Sequence, residues 1–546
     1  MAMNGNLCAY YVIGISAIFF VKVLILFVLL RYRPNIRCSP LVSYSVILAT
    51  GYLFVFQYLK YQSLGFYADF SHWGEIISNI AECGRPFSHS VQFLYPDRLN
   101  YLSIHFSPLV YIFAVPFRFS QYSETILLLN FLLMISAAIP LYKLAMIHNE
   151  DRRFGLFMVI LLFWFPTFQY IVLYEFEMLR FSIPILLWML YFWKQRRLSL
   201  YFISVVLAVL IREDVSLTIT MFGLYLLLVR KDKWIGVGTT CIGLVAFFVI
   251  TQVIMPSLST SEDHQHIATP LFSSFGDSSI EIVKGIIRHP GLVLKTVLNP
   301  VKLANIFMYL LPLLFVPCLS LGILLATCAN IGVALLSNSV THSSYFLYYL
   351  SPSIPFIFYA FITAWPKLLS MLERISVRWG GNANGEVRPT AMLMVLSSCL
   401  ISNIFFGPSP VSLQFWFRDL RPAPFRTHNY HYSAYRITDH HRKVESFCSL
   451  IPDSAVVSAE QFLCPRLFKK NGIMVFPQLE SVDGKTKADY VFIDKQNPTK
   501  TGTAAVAGSY YGLKENPQAY YDIVEKYPHR WELVRTDDGY YLYRRR

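Results

Sequence analysis

Charged residues are scarce in this chain. Asp, Glu, Lys and Arg together make up 15% of its 546 residues, whereas soluble globular proteins carry about 25%. Hydrophobic residues make up 55%, and the mean hydropathy is +0.45. Apolar runs of about 20 residues recur along the first three quarters of the chain, and each could cross a hydrocarbon core of about 30 Å. The composition therefore excludes an ordinary soluble protein and predicts a polytopic α-helical membrane protein with about 11–12 spans.

Several chemical motifs are also missing. The nine cysteines include no CxxC pair, so neither a zinc site nor a thioredoxin-like motif is predicted. The sequence contains no glycine-rich phosphate loop and no nucleotide-sugar motif. One acidic and histidine-rich run resembles a metal cluster in composition only: Glu262, Asp263, His264 and His266. No metal ligand is therefore assigned and no cofactor is certain, although a role for a divalent metal is left open.

Basic residues outnumber acidic ones and give the chain a net charge of +14. They lie in short clusters between apolar runs, at residues 31–37, 194–197, 230–233 and 367–378. Such clusters are typical of the cytoplasmic loops of membrane proteins. Nucleic-acid binding is not expected, because it requires a basic face on a soluble domain.

This charge pattern predicts the topology. The first apolar run, 9–30, lacks the charged start and cleavage site of a signal peptide, so it is interpreted as a membrane segment. Two long polar intervals, 60–108 and 256–300, are placed on the extracytoplasmic side. The second contains an amphipathic stretch, 278–298, that is expected to lie at the membrane interface. The apolar stretch 198–229 lies between two basic clusters that should both be inside, so it is predicted to be a hairpin with the charged residues 212–214 at its outer turn.

From residue 407 onward the composition becomes polar, with regular apolar bursts. AVVSA, IMVFP and DYVFID predict short buried strands, and WELVRTDDGYYLYRR predicts a terminal hairpin that turns at Asp538 and Gly539. We therefore predict a membrane domain over 1–406 and a small α/β domain over 407–546. The number of crossings places this second domain outside the cytoplasm, where Cys448 and Cys464 could form a disulfide.

The predicted topology brings ionisable residues from distant parts of the sequence to the extracytoplasmic side. A charge near the membrane centre costs about 2.5–3.5 kcal/mol on insertion scales, so such groups usually pair or line a cavity. An outward-facing polar cavity is therefore predicted. Its candidate residues are Asp69, Glu75, His105, Glu175, Glu177, Arg180, Arg212, Glu213, Asp214 and His342.

Structural roles compete with a functional role at each of these positions. Asp69 could cap a helix that begins near Ser71, and Glu75 could be a surface residue of the same helix. His105 and His342 could be ordinary structural histidines. Arg212, Glu213 and Asp214 could neutralise one another as a local ion cluster. Arg180 could form an i,i+3 ion pair within its group with Glu175 and Glu177.

The segments HFSPLVYIFAVPF, REDVSLTI, IPDSAVVSAEQFLCPRL and ADYVFID resemble a large family of predicted microbial membrane proteins with a domain of unknown function. That family is related to the GT-C glycosyltransferase superfamily. The resemblance extends from about residue 64 to the C-terminus. The chain departs from the usual pattern of the family at Gly74, Glu75 and Glu177.

The resemblance implies a GT-C-like fold in a microbial plasma membrane and an inverting glycosyltransferase. Its partners would be membrane lipids and a sugar donor linked to polyprenyl phosphate. One carboxylate would deprotonate the acceptor, and cationic groups would stabilise the departing phosphate. Asp69 is the first candidate for the catalytic base and Glu75 the second. The candidates for binding the substrate or its phosphate are His105, Glu177, Arg180, Arg212, Glu213, Asp214 and His342.

Two other classes of function stay open at this point. A transporter or flippase for a lipid or polar solute would explain the charge-bearing interruption at 212–214, although the inverted repeats of secondary transporters are not evident. A non-enzymatic envelope protein could use its C-terminal domain for binding. The sequence assigns neither the sugar and its acceptor nor the oligomeric state.

Overall fold

The computed structural model describes Lys22 and residues 39–93, 95, 98–259, 266, 268–378, 387–417, 430–481, 484–496 and 517–546. The described part of the chain is mostly helical. Within the described ranges, five helices are long and apolar enough to cross a membrane, or up to seven if each bent pair forms one span. Apart from Lys22, the predicted segment 9–30 and the basic cluster 31–37 lie outside the described residues.

The five candidate spans begin after the first large polar interval. They are Ser123–Asn149, Lys233–Leu258, Val316–Leu336, Tyr348–Ile375 and Val387–Phe406. The two bent pairs are Arg152–Trp164 with Pro166–Leu173 and Pro290–Val297 with Pro300–Leu313, which bend by 55° and 57°. Each second helix starts with a proline, which cannot donate the backbone hydrogen bond that would continue the first helix.

Other helices lie before residue 407. They are Ser39–Gln62, Ala68–Cys83, Tyr111–Ser120, Ser182–Lys194, Leu198–Val209, Val215–Leu228 and Ser279–Arg288. The interruption predicted within 198–229 is confirmed, because residues 210–214 separate two helices there. The amphipathic stretch forms the Ser279–Arg288 and Pro290–Val297 helices, and the apolar side chains of Ile280, Val283 and Ile287 are exposed. These exposed side chains fit the predicted position at a membrane interface.

The C-terminal region contains a five-stranded mixed sheet in the order β2-β1-β3-β5-β4. The strands are β1 Val456–Ala459, β2 Gly472–Val475, β3 Tyr490–Asp494, β4 Trp531–Asp537 and β5 Tyr540–Arg545. The first three run parallel, and β5 pairs antiparallel with both β3 and β4. The predicted strands and the hairpin turn at Asp538 and Gly539 are confirmed. The Asp439–Cys448 and Pro517–Glu525 helices accompany the sheet.

No disulfide joins Cys448 and Cys464. Both are free, buried thiols. The Cys464 thiol lies 3.5 Å from the carbonyl oxygens of Ala459 and Glu460. Cys448 and Cys464 are therefore buried core cysteines, and they do not form the disulfide considered from the sequence.

The C-terminal region packs directly onto the Ala68–Cys83 helix. The Ser78 hydroxyl donates a hydrogen bond of 2.7 Å to the carbonyl oxygen of Phe468, and the Ile473 N–H of β2 donates one of 3.4 Å to Glu75. On the same helix, Gly74 faces the ring of Phe468 so closely that a Cβ atom would overlap the ring. Glycine at position 74 therefore permits the close approach of the two regions.

Gly74→Ala is expected to destabilise the protein by about 1–3 kcal/mol through overpacking. In an open helix position the same change would stabilise by up to about 1 kcal/mol, so the expected sign is diagnostic. Unfolding of the purified protein would measure the change. Phe468→Leu removes part of the ring and serves as the matched background, in which Gly74→Ala should cost much less. An equal cost in both backgrounds would contradict this packing.

Candidate functional site

Asp69 lies at the start of the Ala68–Cys83 helix, as its second residue. Its carboxylate accepts a short hydrogen bond from the Tyr174 hydroxyl, and its side chain is only partly exposed. The helix N-terminus is satisfied by another group, because the Phe70 N–H donates to Glu175 Oε2 at 3.2 Å. The capping interpretation of Asp69 is therefore wrong, and the carboxylate that caps this helix comes from Glu175.

The surroundings of Asp69 favour the neutral form of its carboxyl group and raise its pKa. Burial raises the pKa of Asp69 to about 8, and the nearby carboxylates of Glu175 and Glu177 add to the rise. The hydrogen bond from Tyr174 and the charge of Arg180 act in the opposite direction but are weaker. A carboxylate with a pKa near the working pH is suited to accept a proton during a reaction.

Glu177 connects this region to the interruption at 212–214. Its Oε2 atom accepts a hydrogen bond of 3.3 Å from the Trp73 indole, and its Oε1 atom lies 3.7 Å from Arg212 Nη1. Arg212 binds Asp214 with two hydrogen bonds of 2.9 and 2.6 Å. Both Glu177 and Arg212 are buried, while the Asp214 side chain is 30% exposed. Arg212 is therefore the central cation of a three-residue ion cluster.

Glu213 forms a second group with two histidines. Its Oε1 atom lies 2.9 Å from His105 Nδ1 and 3.7 Å from His266 Nε2, and its Oε2 atom accepts a hydrogen bond of 2.9 Å from the Phe106 N–H. Burial opposes ionisation of Glu213, but His105, His266 and Arg212 together hold its pKa well below the ordinary value. Glu213 is thus a buried carboxylate that anchors the start of the HFSP segment.

Arg180 is completely buried. Its Nη1 donates a hydrogen bond of 3.1 Å to Asn130, while its Nε and Nη2 have no hydrogen-bond partner among the described residues. The guanidinium lies 5.8 and 5.9 Å from the ring centres of Tyr174 and Phe176. Within the described part of the chain, Arg180 forms no side-chain ion pair with Glu177, which instead lies beside Arg212. The i,i+3 ion pair considered from the sequence is therefore not formed.

A row of aromatic contacts leads from Asp69 to His342. The ring of Tyr174 lies 4.9 Å from that of Tyr348, which lies 4.4 Å from that of Tyr349. The His342 ring lies 4.3 Å from Tyr349. Burial and the nearby Arg212 lower the pKa of His342 to about 4, so its imidazole is neutral.

The candidate residues therefore form two layers. The first layer is partly exposed and can meet a ligand; it contains Asp69, His105, Asp214, His266, His342 and Tyr349. The second layer is buried behind it and contains Glu175, Glu177, Arg180, Arg212 and Glu213. The sequence predicted most of these residues but missed the roles of Tyr174, Tyr348 and Tyr349, and it noted His266 only as part of a doubtful metal cluster. Their signal was weak, because aromatic residues are frequent throughout the chain.

Glu75 lies outside this group. It is buried and accepts hydrogen bonds from the N–H and hydroxyl of Ser90, at 3.0 and 2.7 Å, and from the Ser88 hydroxyl at 2.6 Å. The His89 and Ile473 N–H groups also donate to it. The surface interpretation of Glu75 is wrong. With both carboxylate oxygens occupied, Glu75 links the helix to the following loop and to β2.

The structure gives no basis for naming a metal. Among the described residues, no group of three or more His, Cys, Asp and Glu side chains is arranged to hold one. Glu262, Asp263 and His264 lie outside the described residues, and His266 faces Glu213.

The apolar helices, with polar residues gathered in the loops between them, are those of a polytopic membrane protein, and the described ionisable residues around Asp69 and Arg212 form its candidate site. Residues 69–526 match the family described as Predicted membrane protein (DUF2079), and the chain belongs to this family. The function of the family is not established. A search of curated proteins finds no match.

Proposed function

We propose that this protein is a GT-C type glycosyltransferase that transfers a sugar from a polyprenyl-phosphate donor to an extracytoplasmic acceptor, with inversion. The observation that carries the proposal is the partly exposed Asp69 carboxyl, whose pKa is raised to about 8 and which is held by Tyr174. The proposal includes a GT-C-like fold with 11–12 crossings in a plasma membrane. The absence of nucleotide-sugar motifs in the sequence agrees with a lipid-linked donor.

In the proposed reaction the acceptor hydroxyl attacks the anomeric carbon of the donor sugar. A new carbon–oxygen bond forms, the bond from the sugar to the phosphate breaks, and the hydroxyl proton passes to the Asp69 carboxylate. The leaving group is polyprenyl phosphate, which carries the additional negative charge. The Tyr174 hydroxyl holds the Asp69 carboxylate in place, which fixes the direction of proton transfer.

Charge on the departing phosphate requires donors in the same space. His105 and His342 are partly exposed and are the proposed direct contacts. Arg212 donates a hydrogen bond to Asp214, and the Arg180 guanidinium packs over the ring of Tyr174. In a site of low dielectric, a buried cation such as Arg180 stabilises an anion even without touching it, whereas Asp214 and Glu177 offset the charge of Arg212. Glu177 and Glu213 fix the positions of Arg212 and His105.

A direct assay tests the proposal. Purified protein is incubated with a polyprenyl-phosphate sugar and a membrane extract as the source of acceptor, and release of polyprenyl phosphate is measured. A transporter or flippase is the second candidate, because charged residues separate the two helices at 210–214. If the protein moves labelled lipid across proteoliposomes without releasing polyprenyl phosphate, the transferase proposal is wrong.

The orientation in the membrane gives a further prediction. Single cysteines at Arg85 and Arg442, which are both exposed, are expected to react with an impermeant maleimide added to intact cells. A cysteine at Arg374, exposed at the basic end of the Tyr348–Ile375 span, is expected to react only after permeabilisation because the basic ends of membrane helices stay inside. A background in which Cys83 is replaced by serine removes the neighbouring exposed thiol. Labelling of only one of the two outer positions would contradict a common extracytoplasmic side.

A further inference from the structure

A polar cavity, lined by none of the residues gathered around Asp69, lies beside the basic clusters at 194–197, 230–233 and 367–378. Its volume is about 450 Å³, within the usual range for ligand sites of about 300–1,000 Å³. Four basic side chains from different parts of the chain line it: His148, Lys194, Arg230 and Lys367. No Asp or Glu is among its lining residues. None of these residues belongs to the site described above.

The charges in this cavity are not neutralised by the described part of the chain. Lys194 and Arg230 both line the cavity and lie 5.2 and 5.9 Å from the centre of the same Trp193 ring, so the two cations are at most about 11 Å apart. Neither forms an ion pair with a described residue, whereas the neighbouring Arg196 is paired with Asp232. Close like charges repel, and an anion bound between them would remove the repulsion.

Neutral hydrogen-bonding groups complete the lining. The Ser320 and Thr363 hydroxyls lie 2.9 Å apart, and the Tyr359 hydroxyl lies 3.4 Å from His148 Nε2. Lys367 Nζ donates to the carbonyl oxygen of Leu319 at 2.9 Å, which holds the lysine at the cavity wall. Cations combined with hydroxyl groups match the oxygens of a phosphate group.

One side of the cavity is apolar and reaches the surface. Val229 and Leu321 line it and are 48% and 71% exposed. The adjacent Leu228 is also exposed, at 64%. A ligand with a phosphate group among the basic side chains and a hydrocarbon chain along Val229 and Leu321 would fit both the charged and the apolar side of the cavity. Basic pockets between membrane helices bind anionic lipid headgroups in this way.

We propose that this cavity binds the phosphate headgroup of an anionic phospholipid, whose acyl chain leaves past Val229 and Leu321. The site is separate from the proposed catalytic site and does not depend on its chemistry. Because the phosphate sits among loops of the predicted cytoplasmic side, the lipid comes from that leaflet. The bound lipid would fix the relative positions of the helices that end at Lys194 and begin after Arg230.

Binding of three probes to the purified full-length chain in neutral detergent tests this proposal. They are short-chain phosphatidylglycerol, short-chain phosphatidylcholine and glycerol 1-phosphate. The first is expected to bind at least tenfold more tightly than either of the others. Lys194→Gln with Arg230→Gln should weaken its binding at least tenfold. Lys233→Gln is the matched control, since this exposed lysine does not line the cavity, and it should change affinity less than twofold.

The outcomes separate the parts of the proposal. If the double variant binds phosphatidylglycerol as the unchanged protein does, the site is wrong. If glycerol 1-phosphate binds as tightly as the lipid, the lipid assignment is overturned in favour of a soluble phosphate ligand. Should the double variant aggregate, Arg230→Gln alone answers the question, because this side chain is exposed. It is expected to weaken lipid binding at least threefold, and unchanged binding would overturn the proposal.

Discussion

Asp69→Asn is expected to reduce sugar transfer by about 10²–10⁴-fold, the usual contribution of a positioned acid or base. The amide has the size of the carboxyl group and keeps an oxygen that can accept the hydrogen bond from Tyr174. Folding and binding of the donor should therefore stay close to those of the unchanged protein. The loss would appear in the rate of release of polyprenyl phosphate at saturating donor.

The pH dependence of the reaction provides an independent measure of the same role. A base must be ionised to accept a proton, and the pKa of Asp69 is raised to about 8. Transfer should therefore rise about tenfold per pH unit below pH 8 and level off above it. Tyr174→Phe removes a hydrogen bond that favours the ionised form, so the profile should move to higher pH.

Glu75→Gln is the matched control for Asp69→Asn, since it makes the same chemical change in the same helix. Glu75 receives hydrogen bonds from Ser88, Ser90 and Ile473, so its replacement should lower stability. Transfer per folded molecule should change little. Normal transfer by the Asp69→Asn variant would remove Asp69 as the base, and the proposed mechanism with it.

The parts of the structure that could be predicted from the sequence depend on short-range patterns. The strands at 456–459 and 490–494 follow from short runs of β-branched and aromatic residues, and the terminal hairpin follows from Asp538-Gly539. The interruption at 210–214 follows from charges that an apolar helix cannot hold in lipid. Each signal lies within a few residues, so no tertiary information was needed.

The remaining features depend on contacts between distant residues. Glu175 caps a helix that begins more than 100 residues earlier in the chain, because it accepts its hydrogen bond from Phe70, which precedes it by 105 residues. Gly74 is explained by Phe468, a residue of the C-terminal region. The same limit applies to Glu75, which the helix pattern placed at the surface although the following loop and β2 cover it. Periodicity identifies a face of a helix but does not identify what packs against it.

The division of the site into two layers also arises only in three dimensions. Arg212 is predicted from the sequence as a direct contact of the phosphate, yet two of its nitrogens are occupied by Asp214 and its side chain is buried. The sequence gives the residue types of an ion cluster, whereas burial decides which member can meet a ligand. The arrangement makes the structural role of Arg212 testable separately from catalysis.

Arg212→Gln is expected to destabilise the protein by about 3–5 kcal/mol, because removal of one partner from a buried ion pair leaves the other charge uncompensated. Glu177 and Asp214 would both lose their cation. Arg196→Gln is the matched control: Arg196 pairs with Asp232 but is 64% exposed, so its loss should cost less than about 1 kcal/mol. Unfolding of the three purified proteins in the same detergent compares these values.

A second substitution separates the buried charge from the loss of side-chain packing at the same position. In an Asp214→Asn background one of the two carboxylates that would lose their cation is absent, so Arg212→Gln should cost at least 1 kcal/mol less than it does alone, which is within the usual coupling of contacting residues of about 0.5–3 kcal/mol. If Arg212→Gln costs no more than Arg196→Gln, the cluster around 212–214 is open to water. The arginine would then be free to contact a phosphate directly, as its residue type alone suggests.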